Sequence, residues 1–149
     1  MKYPIGMQSF DQIIEDGYVY VDKTEMIYSL VKGGKIYFLS RPRRFGKSLL
    51  VSTLKNYFLG RKELFKGLAI DELEKDWFTY PVFHIDFNGS NFTEGGALEN
   101  VIEGYISGWE RDLEIVPDNS LDRGRRFIRV LAEVHERTGR RAVVLIDEY

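Results

Sequence analysis

Residues 36–48 read Ile36-Tyr37-Phe38-Leu39-Ser40-Arg41-Pro42-Arg43-Arg44-Phe45-Gly46-Lys47-Ser48, and the fold turns on this stretch. Its first four residues form a short continuous apolar run, the pattern of a strand buried in a parallel sheet. Beyond it, Leu49, Leu50, Leu54, Tyr57 and Phe58 recur at helical spacing until Gly60. Strand, basic loop and helix in that order predict a phosphate cradle. The free N–H groups of the helix start aim at one spot, and the helix dipole adds partial positive charge there. In this reading Gly46 lets the backbone approach the phosphates closely. Lys47 reaches the β- and γ-phosphates, and the Ser48 hydroxyl takes one position on Mg²⁺. Arg43, Arg44, Phe45 and Leu49 complete the candidate nucleotide-contacting set. A Gly-Lys-Ser/Thr triplet arises by chance in roughly 5–10% of chains of this length, so the flanking strand and helix carry most of the weight. The full P-loop pattern has glycine five residues before Gly46. Arg41 stands there instead, and Pro42 then fixes one φ angle, so the loop curves differently from the standard one.

The other end of the chain supplies the matching half. Ala142-Val143-Val144-Leu145-Ile146 is the most apolar run and leads straight into Asp147-Glu148-Tyr149. It reads as a fully buried strand that delivers Asp147 to the carboxyl edge of the sheet, where ligands of α/β folds sit. Asp147 then holds Mg²⁺, usually through a water, and Glu148 orients and deprotonates the attacking water. The two features arise independently and in the required order, which makes ATP and Mg²⁺ the expected cofactors.

Between and before these ends, Ser9 can cap a helix carrying Phe10, Ile13 and Ile14 that stops at Gly17. Tyr18–Val21 reads as extended. Asp22 with Glu25 makes a capping-box pattern for a helix holding Met26, Ile27, Leu30 and Val31. Residues 61–80 suggest short helices over the core, and Pro81–Phe87 a second strand. Leu98, Val101, Ile102, Tyr105, Ile106, Trp109 and Leu113 form an amphipathic stripe. Ser120 can cap the next helix, which shows Phe127, Ile128, Leu131 and Val134 and closes at Gly139. Strands alternating with helices predict an α/β fold with a parallel sheet. His84, in mid-strand, reads as a core histidine, and His135 as a helix-end charge complementing the dipole. Asp86 reads first as a cap of the following turn. The Tyr105–Trp109 stripe reads as core or partner packing.

The whole chain has 149 residues, a length for one domain, and 44% of them are hydrophobic, enough for a sizeable core. Its 21 basic and 23 acidic residues leave a net charge of −2, which argues against a dedicated nucleic-acid coat. The absence of cysteine excludes a disulfide scaffold, a thiolate zinc site and a cysteine nucleophile. No stretch approaches the roughly 20 apolar residues of a membrane span, and the start has no signal-peptide core. A cytoplasmic setting is expected.

Several motifs together closely resemble the AAA-ATPase-like family of predicted P-loop proteins of bacteria and archaea. They are Tyr3-Pro4-Ile5-Gly6, Gly17–Thr24, Tyr37–Ser48, Glu63–Ile70 and Val143–Tyr149, and the resemblance spans essentially the whole chain. It implies a P-loop NTPase fold of the additional-strand, catalytic-glutamate type, with Lys47, Ser48, Asp147 and Glu148 in the roles given above. It also implies that an opening Arg-Pro-Arg-Arg is normal for this P-loop. Members are commonly fused to a C-terminal PD-(D/E)XK nuclease-like domain, which makes such a domain an expected fused or associated partner, and oligomerisation is compatible. On this reading residues 1–34 are a family-specific segment and residues 35–149 a partial nucleotide-binding core. The strand order of the class is 5-1-4-3-2, and this chain supplies strands 1 to 3. Strands 4 and 5 are expected after Tyr149, so the chain reads as a fragment, weakly stable alone and a poor ATPase. The expected function is Mg²⁺-dependent ATP hydrolysis; the alternative is a nucleotide-dependent switch or interaction module with little turnover. Nucleic-acid binding through Arg41, Arg43 and Arg44 is disfavoured, because the basic residues sit in one loop of an acidic chain.

Overall fold

Phe10, Ile13 and Ile14 fall on one side of a short helix, α1 (Phe10–Glu15), and Phe10 and Ile13 are fully buried there. The structure is a computed structural model and describes residues 1–42, 45–89, 92–93 and 95–147. The chain divides into two units, Met1–Thr79 and Tyr80–Tyr149.

The described elements of the first unit are helical: α1, α2 (Thr24–Gly33), α3 (Lys47–Phe58), a 3₁₀ turn (Lys62–Phe65) and α4 (Ala69–Leu73). The stripe on α3 and the short helices of 61–80 therefore form as expected. Their apolar sides meet in a core of Phe10, Ile27, Tyr57, Leu64, Phe65 and Ile70. The Phe10 ring lies 4.8 Å from that of Phe65 and 5.1 Å, edge-on, from that of Tyr20. Burying one such side chain contributes about 1.5–3 kcal/mol, so this aromatic cluster is a principal stabilising contact of the unit. Gly60 ends α3 with φ 71°, and a Cβ there would lie 2.9 Å from the Phe78 carbonyl oxygen. Only glycine fits both the left-handed turn and that close approach.

One expectation fails. The buried strand over Ile36–Leu39 does not form: the stretch has no ladder, and Ile36 and Phe38 are 93% and 85% exposed. A strand exists only through a partner, and the ladder found among the described residues joins two strands of the second unit. Tyr37 instead turns back on the end of α2, where a Cβ on Gly34 would meet its hydroxyl at 2.7 Å. Tyr18–Val21, read as extended, forms no strand; the Val19 N–H donates to the Lys2 C=O at 2.8 Å.

In the second unit β1 (Val82–Asp86) and β2 (Val143–Asp147) pair in parallel, Val82 opposite Val143 through Asp86 opposite Asp147. Both strands appear within a residue of their expected spans, and a mixed helix–strand chain with a parallel pair accords with the α/β class. Parallel strands need a long crossover, here carried by α5 (Ala97–Asp112) and α6 (Arg123–Thr138). Phe83 packs edge-on against Trp109 at 4.9 Å, and Trp109 stacks on Phe127 at 5.5 Å. The Tyr105–Trp109 stripe is thus core packing. β2 is less buried than its sequence predicts: Val144 is 39% and Ile146 51% exposed. Phe83, the register partner of Val144, is by contrast buried under Trp109 and Phe127. The cap of α6 is Asp122, whose carboxylate accepts the Arg125 N–H at 2.8 Å. Ser120, expected there, is engaged in the preceding turn, where both its N–H and its hydroxyl donate to Asp118.

Helices α5 and α6 are tied by a buried charge cluster. Arg126 donates through Nε (3.1 Å) and Nη2 to one oxygen of Glu110, which is 1% exposed, and through Nη1 to Glu103 at 2.6 Å. Removing one partner strands a buried charge, whereas removing both does not. Arg126→Met is therefore expected to lower the stability of the unit by about 3–5 kcal/mol. The Glu110→Leu/Arg126→Met pair should recover most of it in urea denaturation. Equal loss in single and double variants would refute this account.

Candidate functional site

The turn into α3 places the first group of predicted residues. Gly46 adopts φ 76°, ψ 20°, the left-handed region, and has no side chain to cap the helix that follows. The Leu50 N–H bonds the Gly46 carbonyl at 3.0 Å, so the amides before Leu50 are the first donors of a helix, with no partner inside it. Lys47, Ser48 and Leu49 form the first turn and are half-buried; Phe45, just before it, is 61% exposed. Arg41 is exposed, and Arg43 and Arg44 lie outside the described residues. Gly46, Lys47, Ser48 and Leu49 are thus together at one helix end in the first unit.

The second group lies in the second unit. Asp86 and Asp147 stand opposite each other in register at the carboxyl ends of the parallel strands, and Asp147 is buried. Asp86 caps its turn as expected, accepting the Asn88 N–H at 2.8 Å. The Tyr105 hydroxyl accepts the Asp86 N–H (3.1 Å) and donates to its C=O (3.2 Å), satisfying both backbone groups of Asp86. Glu148 lies outside the described residues. His84 is half-buried in mid-strand. His135 sits in the last turn of α6 with Nδ1 2.9 Å from the Arg140 carbonyl. A groove of about 270 Å³, lined by Pro81, Val82, Phe83, Trp109, Leu113 and Val134 among others, opens near the amino end of β1, away from Asp86 and Asp147. Among the described residues no cluster of three or more His, Cys, Asp or Glu could hold a metal ion, and no helix is long and apolar enough to cross a membrane.

The sequence pattern gave Asp22 and Thr24 no role beyond capping, and the structure adds one. Asp22 does not complete a capping box with Glu25. Its Oδ1 accepts the Thr24 N–H (2.9 Å) and hydroxyl (2.6 Å), while Oδ2 accepts the Ala69 N–H (2.7 Å) at the start of α4. The Thr24 hydroxyl, fully buried, accepts the Ile70 N–H at 3.1 Å. Two residues thus join the starts of α2 and α4, a contact across 46 and 47 residues that no local pattern encodes.

Partial burial alone would raise the Asp22 carboxyl. The hydrogen bonds from the Thr24 side chain, the Thr24 amide and the Ala69 amide outweigh it and hold the group below its ordinary value. A carboxyl depressed in the folded state adds stability above about pH 4 that is lost as pH falls through its folded value. Asp22→Ala should cost about 1 kcal/mol at pH 7 and show a shallower loss between neutral and acid pH than wild type. Denaturation series across that range check this; parallel curves would remove Asp22 from the acid response.

The family described as AAA-ATPase-like, predicted AAA-ATPase, matches residues 4–149. A curated relative, an uncharacterised protein in the vnfD 5′ region of Azotobacter chroococcum mcd 1, is 42% identical over 150 residues. That match covers 99% of this chain and 29% of the relative. No solved structure matches.

Proposed function

Because the chain belongs to the predicted AAA-ATPase family, we propose that it is a P-loop module that binds ATP with Mg²⁺ and acts in ATP hydrolysis. The observation that carries the reading is the Gly46 turn. It brings Lys47 and Ser48 into the first turn of a helix whose leading amides have no side-chain cap. Free N–H groups, a positive helix end and a lysine together suit a polyphosphate.

The residues fit the cofactors. Among the described residues nothing lies within 4 Å of where a Cβ on Gly46 would stand, which suits close approach of a ligand to the backbone. A serine hydroxyl and an aspartate carboxylate are hard oxygen donors, suited to an Mg²⁺ ion that keeps water and phosphate oxygens as its other ligands. Bound Mg²⁺ would neutralise charge on the phosphate oxygens. In the first unit Lys47 would bind the β- and γ-phosphates and Ser48 would be a ligand for Mg²⁺; in the second Asp147 would be a ligand for Mg²⁺ and Glu148 would orient the attacking water and take its proton. Arg43, Arg44, Phe45 and Leu49 would complete the nucleotide contacts. The fold we propose around these residues is the P-loop NTPase sheet, and the proposed partner is a nuclease-like domain, fused or associated.

Lys47→Ala should abolish Mg-ATP binding measured by calorimetry. Glu148→Gln should leave binding intact and cut phosphate release about 10²–10⁴-fold, the usual worth of a general base. Binding with no turnover in wild type and no change in Glu148→Gln would support a nucleotide-dependent switch instead. Unchanged binding in Lys47→Ala would overturn the reading.

A further inference from the structure

Helix α6 buries Arg126, Val130 and Val134 on one side. On the opposite side Arg125, Ile128, Arg129, Ala132 and Glu136 recur at helical spacing and form one stripe. Arg125, Ala132 and Glu136 are exposed, Arg129 is half-buried, and Ile128 is 65% exposed. A single isoleucine in water needs no explanation by itself. The charges on either side of it do.

Those charges are placed against the helix. The start of a helix carries partial positive charge and its end partial negative charge, which favours acids in the first turn and bases in the last. The first turn of α6 has no acid and holds Arg125, while Glu136 stands in the last turn. Other charges of α6 are engaged. Arg123 and Arg126 pair with Glu103, Arg137 pairs with Glu133, and Arg129 donates to the Val116 carbonyl at 3.0 Å. Arg125 reaches Asp122 only at 3.7 Å, with both side chains largely exposed, and an exposed pair of this kind adds little. Glu136 has no ion pair among the described residues.

The stripe is thus positive at one end, negative at the other and apolar between. Such a pattern is complementary to itself turned end for end. Consider a two-fold axis at the midpoint between Ile128 and Ala132. Arg125 and Glu136 stand equally far from that midpoint to within about 1.5 Å along the helix. Each Arg125 then meets the partner's Glu136, and each Ile128 meets the partner's Ala132, whose small side chain lets the helices approach.

We propose that this face of α6 is an interface for a second copy of the chain, the two helices antiparallel. Arg125–Glu136 pairs close both ends, and Ile128 packs on Ala132 at the centre. One pair of helices buries less than a standard interface, so the dimer dissociates at about tens of micromolar.

Sedimentation equilibrium of the full chain from about 5 to 500 µM should show a monomer–dimer equilibrium. Ile128→Asp should abolish dimerisation over that range, with thermal melting close to wild type. Arg125→Glu and Glu136→Arg should each weaken association about tenfold, because the two-fold axis counts each change twice. Both changes suit the helix dipole, so loss of folding cannot account for the effect. Arg125→Glu combined with Glu136→Arg reverses both ends and should restore association to within about threefold of wild type. Wild type that stays monomeric throughout overturns the proposal. So does a dimer that Ile128→Asp leaves intact, which places the contact on another surface. A double variant no better than its singles overturns the antiparallel pairing.

Discussion

β1 and β2 run in the same direction, and parallel strands cannot be joined by a tight turn. The chain must leave the carboxyl end of β1 and return to the amino end of β2, which it does through two helices of 16 residues each. Much of the second unit follows from that one requirement. The helices need apolar faces against the strands, supplied by Trp109 and Phe127 over Phe83. They need to be tied to each other, which the Arg126 cluster with Glu110 and Glu103 does. The parallel register also brings two aspartates, 61 positions apart in the numbering, side by side at the carboxyl edge.

The first unit is organised around α3 rather than around a ladder. Its apolar stripe enters the aromatic core, while its buried polar residues reach the neighbouring elements one at a time. Ser52 takes the leading amide of α1. Tyr57 donates to Glu74 at 2.5 Å, and Lys32 of α2 joins the same carboxylate at 3.1 Å. Burial would raise the Glu74 carboxyl, but the Tyr57 hydroxyl, the Asp76 amide and Lys32 together hold it below its ordinary value. A carboxylate so satisfied orients the helices that meet at it more than it stabilises them, because the desolvation of the charge offsets much of the pairing.

How far the sequence could be read depends on the range of the interaction involved. Helical stripes and turn residues are local, so α3, α5 and α6 and the Gly46 turn were legible to within a residue or two. The spans of β1 and β2 were legible too, because short apolar runs bounded by turn residues leave few alternatives. Capping was legible only in kind: an acceptor was expected before α6, but Asp122 takes the place given to Ser120, since Asp118 engages Ser120 first. Of the candidate site, Gly46, Lys47 and Ser48 were readable from the motif, and Asp147 from its strand. The bridge from Asp22 and Thr24 to Ala69 and Ile70, and that from Phe10 to Ser52, were not readable, because each joins residues more than 40 positions apart.

The amino-acid sequence by itself determined the helices, the spans of the candidate strands, the glycine turn into α3 and the family, because each rests on residues near one another or on a motif of fixed spacing. Tertiary structure alone decided whether an apolar run becomes a strand. Ile36–Leu39 and Val143–Ile146 look alike as sequences, yet only the second has a ladder partner and pairs. Strand formation requires hydrogen bonds from elsewhere in the chain, and no local pattern can state that they are present. Tertiary structure alone also decided which partners the polar side chains of α3 take, because a hydroxyl on a buried face gains its meaning from the donor or acceptor that folding places against it.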